Sequence, residues 1–258
     1  MSDLSAMLAA QSEDQILIST LHRRLYDPDF AGFYVPVEAW TPKPYDGWFH
    51  PSSQSQYTVR QLYLYRTRPD LLMGEHMPLT GVLAVTAGKF WHKFVQMVLL
   101  DDGVLLQDEV PVLDEYTHRR GHADGMLSNG ECLEIKTINT FQVEKITSEE
   151  VLKEKKPEHW AQTMDYLDCL GLRTMRYLII APSYPFRMSE FLVRADFDYI
   201  AKRRVEYRIA YEMSLSHPDG ALADDLAFDI LPACCVPKSA KSKSCFCQLA
   251  CPVGRFQG

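Results

Sequence analysis

The chain has 258 residues, 47% of them hydrophobic and 24% charged, with a formal net charge of −7. That length bounds the organisation to one or two domains, and the apolar fraction excludes wholesale disorder. There is no run of about 18 apolar residues to span a membrane, no signal peptide in the opening MSDLSAMLAAQSEDQ, and no positive excess to coat nucleic acid by bulk charge.

The expected elements follow in chain order. Residues 3–25 carry Leu4, Met7, Leu8, Ile16, Leu17, Leu21 and Leu25 at helical spacing, interrupted around Ser12. Residues 26–56 hold Pro28, Pro36, Pro42, Pro44 and Pro51 among aromatics, a composition that wraps a core. Residues 57–67 suit helix or strand. Residues 86–100 read as a helix, with Phe90, Phe94, Met97 and Val98 recurring. From 104 the period changes. Val104–Leu106, Val110–Val112, Gly121–Met126 and Glu131–Ile138 read as a meander of strands, with Ser128-Asn129-Gly130 as a hairpin turn.

Residues 148–171 read as a helix started by Ser148, Glu149 and Glu150, divided at Pro157 and ended at Gly171. Residues 175–181 and 190–195 are strands, and 196–215 is a helix. An acidic linker over 219–229 leads into a Cys-rich tail. This order predicts an α/β fold with a central mixed β-sheet flanked by helices. It divides into a helical and loop-rich wrap (1–85), a core (86–216), and a linker and tail (217–258).

The stretch GHADGMLSNGECLEIKT, residues 121–137, carries the chemistry. Strand alternation puts Glu134 and Lys136 on one face and Leu133, Ile135 and Thr137 on the other. The hairpin brings Asp124 back beside Glu134. Two such carboxylates repel unless a cation lies between them, and hard oxygen ligands favour Mg²⁺ or Mn²⁺. The Ile135 carbonyl is a candidate extra ligand. A divalent ion there would polarise a phosphodiester, and Lys136 would stabilise developing negative charge. Alone, D-x9-E-x-K is a loose pattern, met more often as a solvated face with a weak ion pair.

Further elements occur around it in order. Gly88 and His92 form G-x-x-x-H on one helix face, the glycine permitting close approach. Gly121 and Asp124 form G-x-x-D, and Gln162 and Tyr166 form Q-x-x-x-Y on the helix after the strands. Each alone is as well read as core packing. Together, in this order with E-I-K at 134–136, they resemble the RecB-like exonuclease branch of the PD-(D/E)XK nuclease superfamily, which includes the CRISPR-associated iron–sulfur exonucleases and phage-encoded relatives.

The match spans residues 50–251 and implies a restriction-endonuclease-like core. It also implies a metal held by His92, Asp124 and Glu134, with Lys136 as the catalytic lysine. Gln162 and Tyr166 would position the DNA strand or the attacking water. Glu109, in EVPV, matches an acidic position common in such nucleases. The proline usual before the Asp is replaced by Ala123. The implied activity is a Mg²⁺- or Mn²⁺-dependent exonuclease on single-stranded DNA or duplex ends, cytoplasmic in a bacterial cell or phage-encoded, in recombination, repair or CRISPR-related processing. A homo-oligomer or recombination partners would accompany it. The alternative is a non-catalytic nucleic-acid- or partner-binding protein on the same fold, against which the intact Asp124, Glu134 and Lys136 count. Arg119, Arg120, Lys153, Lys155 and Lys156, with Arg60 and Arg66 upstream, are the basic residues expected along a DNA path.

Of seven cysteines, Cys132 and Cys169 lie singly in apolar patterns, while Cys234, Cys235, Cys245, Cys247 and Cys251 crowd the tail. An odd count in a cytosolic chain argues against a disulfide framework. Iron–sulfur members of the branch pair three C-terminal cysteines with one upstream. Here Gln56 or Tyr57 stands at the upstream place, so that arrangement is broken. The tail reads either as a structural Fe4S4 or Zn²⁺ site or as free thiols.

Overall fold

Proline and glycine punctuate the chain where the sequence places them, and the elements follow. The computed structural model describes residues 15–30, 32, 34–36, 44–71, 79–183 and 186–219. Helices α1 (Ile16–Leu25), α2 (Pro51–Gln54), α3 (Val59–Thr67) and α4 (Leu79–Asp101) precede strands β1 (Leu105–Asp114), β2 (Arg119–Leu127) and β3 (Cys132–Thr137). Then come α5 (Thr140–Val143), α6 (Glu149–Lys155), α7 (Pro157–Leu170), β4 (Thr174–Ala181), β5 (Arg187–Arg194) and α8 (Phe197–Ser216). The segment 57–67, open between helix and strand, is helical because Thr58 and Gln61 form a capping box at its start. Ser148 caps α6, Pro157 opens α7, and Gly171 ends α7 in the left-handed conformation. Among the described residues no helix is long and apolar enough to cross a membrane.

The chain forms two compact units. Among the described residues, the first comprises those of 15–36, 79–112 and 122–195. It contains the mixed α/β architecture expected from the sequence, a five-stranded sheet in the order β1-β2-β3-β4-β5. Strand β3 pairs antiparallel with β2 and parallel with β4, and β5 runs antiparallel to β4. One face buries Leu133, Ile135, Leu178 and Ile180 against Leu17 and Leu21 of α1 and Val95, Val98 and Leu99 of α4. The other face carries Glu134 and receives Gln162 from α7. Alternation along β3 thus sorts a dry face from a chemical one.

Strand β1 joins the two short apolar runs read in the sequence into one strand with a phase change. Leu105 is buried, and then Val110 and Val112, so the buried phase flips between them. Glu109 sits at the flip with φ +49°, the behaviour of a bulge. On β2, a Cβ on Gly125 would collide with Leu105 Cδ1 and lie 3.1 Å from the Gln107 carbonyl, so the strands approach only over a glycine.

Among the described residues, the second unit gathers 44–71, 113–121 and 196–219. Helix α8, expected within the core segment 86–216, belongs here with α3. Tyr63 donates to the His217 carbonyl at 2.9 Å, and Arg66 Nε to Ser214 Oγ at 2.8 Å. Phe49 packs on Tyr207 and bridges to Arg119.

Three basic residues expected along a DNA path are structural instead. Arg119 is fully enclosed, with Nε donating to Thr117 Oγ1 at 2.7 Å, Nη2 paired with Asp114 at 3.0 Å, and its guanidinium over the Tyr207 ring. Arg60 is buried, and Arg66 is held by Ser214 and the Gly47 carbonyl. Arg119 and Arg60, so enclosed, are kept from a phosphate, while Arg66 is half-buried and already committed to its partners.

Candidate functional site

The site forms where β2, β3, α4 and α7 meet. One step along the ladder from the Gly125–Leu133 pair, Asp124 and Glu134 emerge on adjacent strands. Asp124 Oδ2 accepts from the Ile135 amide at 2.6 Å, and its Oδ1 lies 3.6 Å from His92 Nδ1. Ile135, whose carbonyl the sequence offers as a candidate ligand, thus meets Asp124 through its N–H. Glu134 is 1% exposed. Its Oε1 accepts from Lys136 Nζ and from Gln162 Nε2, the latter at 2.9 Å, while Oε2 is buried without a partner.

Helix α4 reaches the site because residue 88 has no side chain. A Cβ there would stand 3.0 Å from Thr137 Oγ1, at the end of β3. Four residues on, His92 faces Asp124; four more, Gln96 donates to the Asp124 carbonyl at 2.7 Å and to Glu109 Oε1 at 3.3 Å. Gln96 was missed by the sequence reading. The i, i+4 series through Gly88 and His92 pointed to it. It is also how Glu109 joins the site, through the buried amide and not by touching the carboxylates.

On α7 the same spacing sets Gln162 above Glu134 and engages the Tyr166 hydroxyl with the Gln162 side chain. The structure thus brings His92, Asp124, Glu134, Lys136, Gln162 and Tyr166 together. Lys153, Lys155 and Lys156 lie apart from these contacts, on α6 and at its end. Lys153 rests on the Trp160 ring at 4.1 Å and Lys155 pairs with Glu154 at 2.5 Å. In the second unit, Arg120 is half exposed and paired with Asp46 at 2.6 Å. Cys234, Cys235, Cys245, Cys247 and Cys251 lie outside the described residues. Cys132 is buried, its thiol pushed up to about 12 by burial and by Glu134.

The electrostatics separate the two carboxylates. Burial pushes the Glu134 carboxyl up to about 7, Lys136 opposes this, and Asp124 adds to it. For Asp124 burial works upward too, but His92, Lys136 and the Ile135 amide outweigh it and hold the group below the usual carboxylate range. Lys136 is raised, since the two carboxylates outweigh its own burial, and so it is a cation at neutral pH.

The donor set available to a metal is two carboxylates and an imidazole, with one carboxylate oxygen, Glu134 Oε2, buried and uncommitted. These are the ligand types that Mg²⁺ or Mn²⁺ accepts. Among the described residues no three His, Cys, Asp or Glu side chains converge as a ready-made group, and Lys136 holds the other oxygen of Glu134.

No family model and no curated protein matches the chain. Similar solved structures include the exonuclease LHK-Exo in complex with dAMP, at 15% identity, covering 70% of this chain and 95% of that one with a TM-score of 0.48. LHK-Exo is an alkaline exonuclease from Laribacter hongkongensis. They also include SSO0001, at 15% identity with 97% of each chain covered and a TM-score of 0.48. A phage-related exonuclease from Haemophilus somnus 129PT matches at 12% identity over 62% of this chain and 81% of that one, with a TM-score of 0.39. The chain itself carries its resemblance to the RecB-like exonuclease branch of the PD-(D/E)XK nucleases in its four ordered motifs, whose side chains meet on one mixed sheet.

Proposed function

We propose that the protein is a divalent-metal-dependent DNA nuclease, acting as an exonuclease on single strands or duplex ends. The observation that carries this reading is the Glu134 carboxylate, buried and set between a lysine and a glutamine while a second carboxylate, Asp124, stands on the next strand. Burying one acid beside a second, half-buried one is costly, and a structural role would be served as well by apolar residues. His92, Asp124 and Glu134 are the residues that would hold Mg²⁺ or Mn²⁺, which when bound supplies Lewis acidity toward a phosphodiester oxygen.

The chain's own groups have separable tasks. Lys136, set against the Glu134 carboxylate, is the cation placed for charge developing on the phosphate. Gln162 locks the Glu134 rotamer, and Tyr166 backs Gln162. His92 and the Ile135 amide orient Asp124 from opposite oxygens.

End-labelled linear DNA and closed circular DNA, each with Mn²⁺ or Mg²⁺, test the proposal. Wild type should degrade linear DNA and spare circles, and chelation should stop it. Lys136→Ala should lose on the order of 10²–10³ in rate while still binding DNA. Metal-independent or equal behaviour of wild type, Lys136→Ala and Asp124→Ala would refute the nuclease reading and favour a binding protein on this fold.

A further inference from the structure

Two oxygen atoms among the described side chains are buried without a hydrogen-bond partner, Glu134 Oε2 and Tyr177 Oη. Their residues are neighbours. In the parallel β3–β4 ladder Glu134 is paired with Tyr177, and paired residues on adjacent strands project from the same face. On the other side Tyr177 is paired with Phe191 of β5, and the two rings stack at 5.5 Å and 22°. The tyrosine ring is thus pinned between Phe191 and the Glu134 position. It is 0% exposed.

A phenylalanine would fill the same space without burying a hydroxyl, and an unmet buried hydroxyl is destabilising. A polar group kept at that cost, beside a second unmet polar atom, points to a shared use. We propose that Tyr177 is a positioning residue of the metal site. Its phenolic O–H, across one bridging water, fixes Glu134 Oε2 and hence the face that this carboxylate presents to a cation. The inference rests on the metal-dependent nuclease reading and adds a residue that none of the four motifs contains. Gln162 and Lys136 then hold one oxygen of Glu134 and Tyr177 the other, so the carboxylate is oriented from both ends.

The test compares wild type, Tyr177→Phe and Phe191→Leu as full chains. Mn²⁺ binding is measured by titration calorimetry, melting temperature without metal, and kcat and KM on linear DNA over a Mn²⁺ series. Tyr177→Phe should bind Mn²⁺ about tenfold more weakly. Its metal-free melting temperature should be equal or higher, its KM for DNA unchanged, and its kcat recovered at high Mn²⁺. Phe191→Leu, which loosens the same ring but keeps the hydroxyl, should melt earlier and bind Mn²⁺ as wild type does. A Tyr177→Phe protein with wild-type Mn²⁺ affinity, or a Phe191→Leu protein weakened equally, would overturn the assignment while leaving the nuclease reading in place. A wild type that binds no Mn²⁺ would overturn both.

Discussion

Arg119→Ala distinguishes a structural arginine from a DNA-binding one. The Arg119 side chain is 1% exposed, donates to Thr117 and pairs with Asp114, whose own side chain is 14% exposed. The guanidinium also lies 4.9 Å from the Tyr207 ring centroid. Removing one partner of a buried pair costs about 3–5 kcal/mol, because the remaining charge is left uncompensated. Asp114 keeps the Thr117 hydroxyl and the Tyr116 and Thr117 amides, which places the loss at the lower end of that range, about 3 kcal/mol. For a chain of this size that is a fall in melting temperature of about 6–12 °C. Thermal melts of wild type, Arg119→Ala and the double variant with Asp114→Asn measure it. The double variant should recover part of the loss, since the stranded charge is gone. DNA affinity and its salt dependence, measured well below the melt, should match wild type. A variant that melts normally but binds DNA more weakly, with a salt slope reduced by about one, would refute the reasoning and return Arg119 to the DNA path.

Other outcomes follow from local geometry. Gly125→Ala should destabilise by about 1–3 kcal/mol in denaturant titration, since its Cβ meets Leu105 and the Gln107 carbonyl. Gln96→Leu should cost about 1–3 kcal/mol by leaving the buried Asp124 carbonyl without its donor, and should lower nuclease kcat about tenfold. His118, stacked between Trp48 and Tyr211, is lowered to about 4 by burial and by Arg66. Its folded pKa lies below the unfolded value of 6.5, so the unfolded chain holds the extra proton between the two. Stability should therefore rise from pH 4 to 6.5, by about 1 kcal/mol once solvent screening of this partly exposed ring is allowed for. His118→Asn, which tolerates the φ of +58°, should flatten that rise; an unchanged slope would assign it to other groups.

The elements most legible in the sequence are those whose signals are local. Ser148, Pro157 and Gly171 set the ends of α6 and α7 through caps and a missing amide, and Gly130 closes the hairpin with φ +84°. Strand alternation put Glu134 and Lys136 on one face, and i, i+4 spacing put Gly88 with His92 and Gln162 with Tyr166, because both periods are properties of the backbone. Helix α1 shows the limit. No local side chain caps it; the Leu17 and Ile18 amides donate to Glu190, which lies 173 and 172 residues away and is itself held by Arg176.

The sequence by itself determined the α/β order and the hairpin, since each rests on spacing within a few residues, and its resemblance to the nuclease branch singled out the candidate acids, lysine and helix-face residues. Tertiary structure alone decided that Arg119 is enclosed and that α8 joins α3. It also decided that β1 changes phase at Glu109, that Gln96 braces Asp124, and that Tyr177 lies beside Glu134. Each of these depends on which distant strand or helix supplies the partner, and burial and pairing are set by that neighbour and not by the residue's own position in the chain.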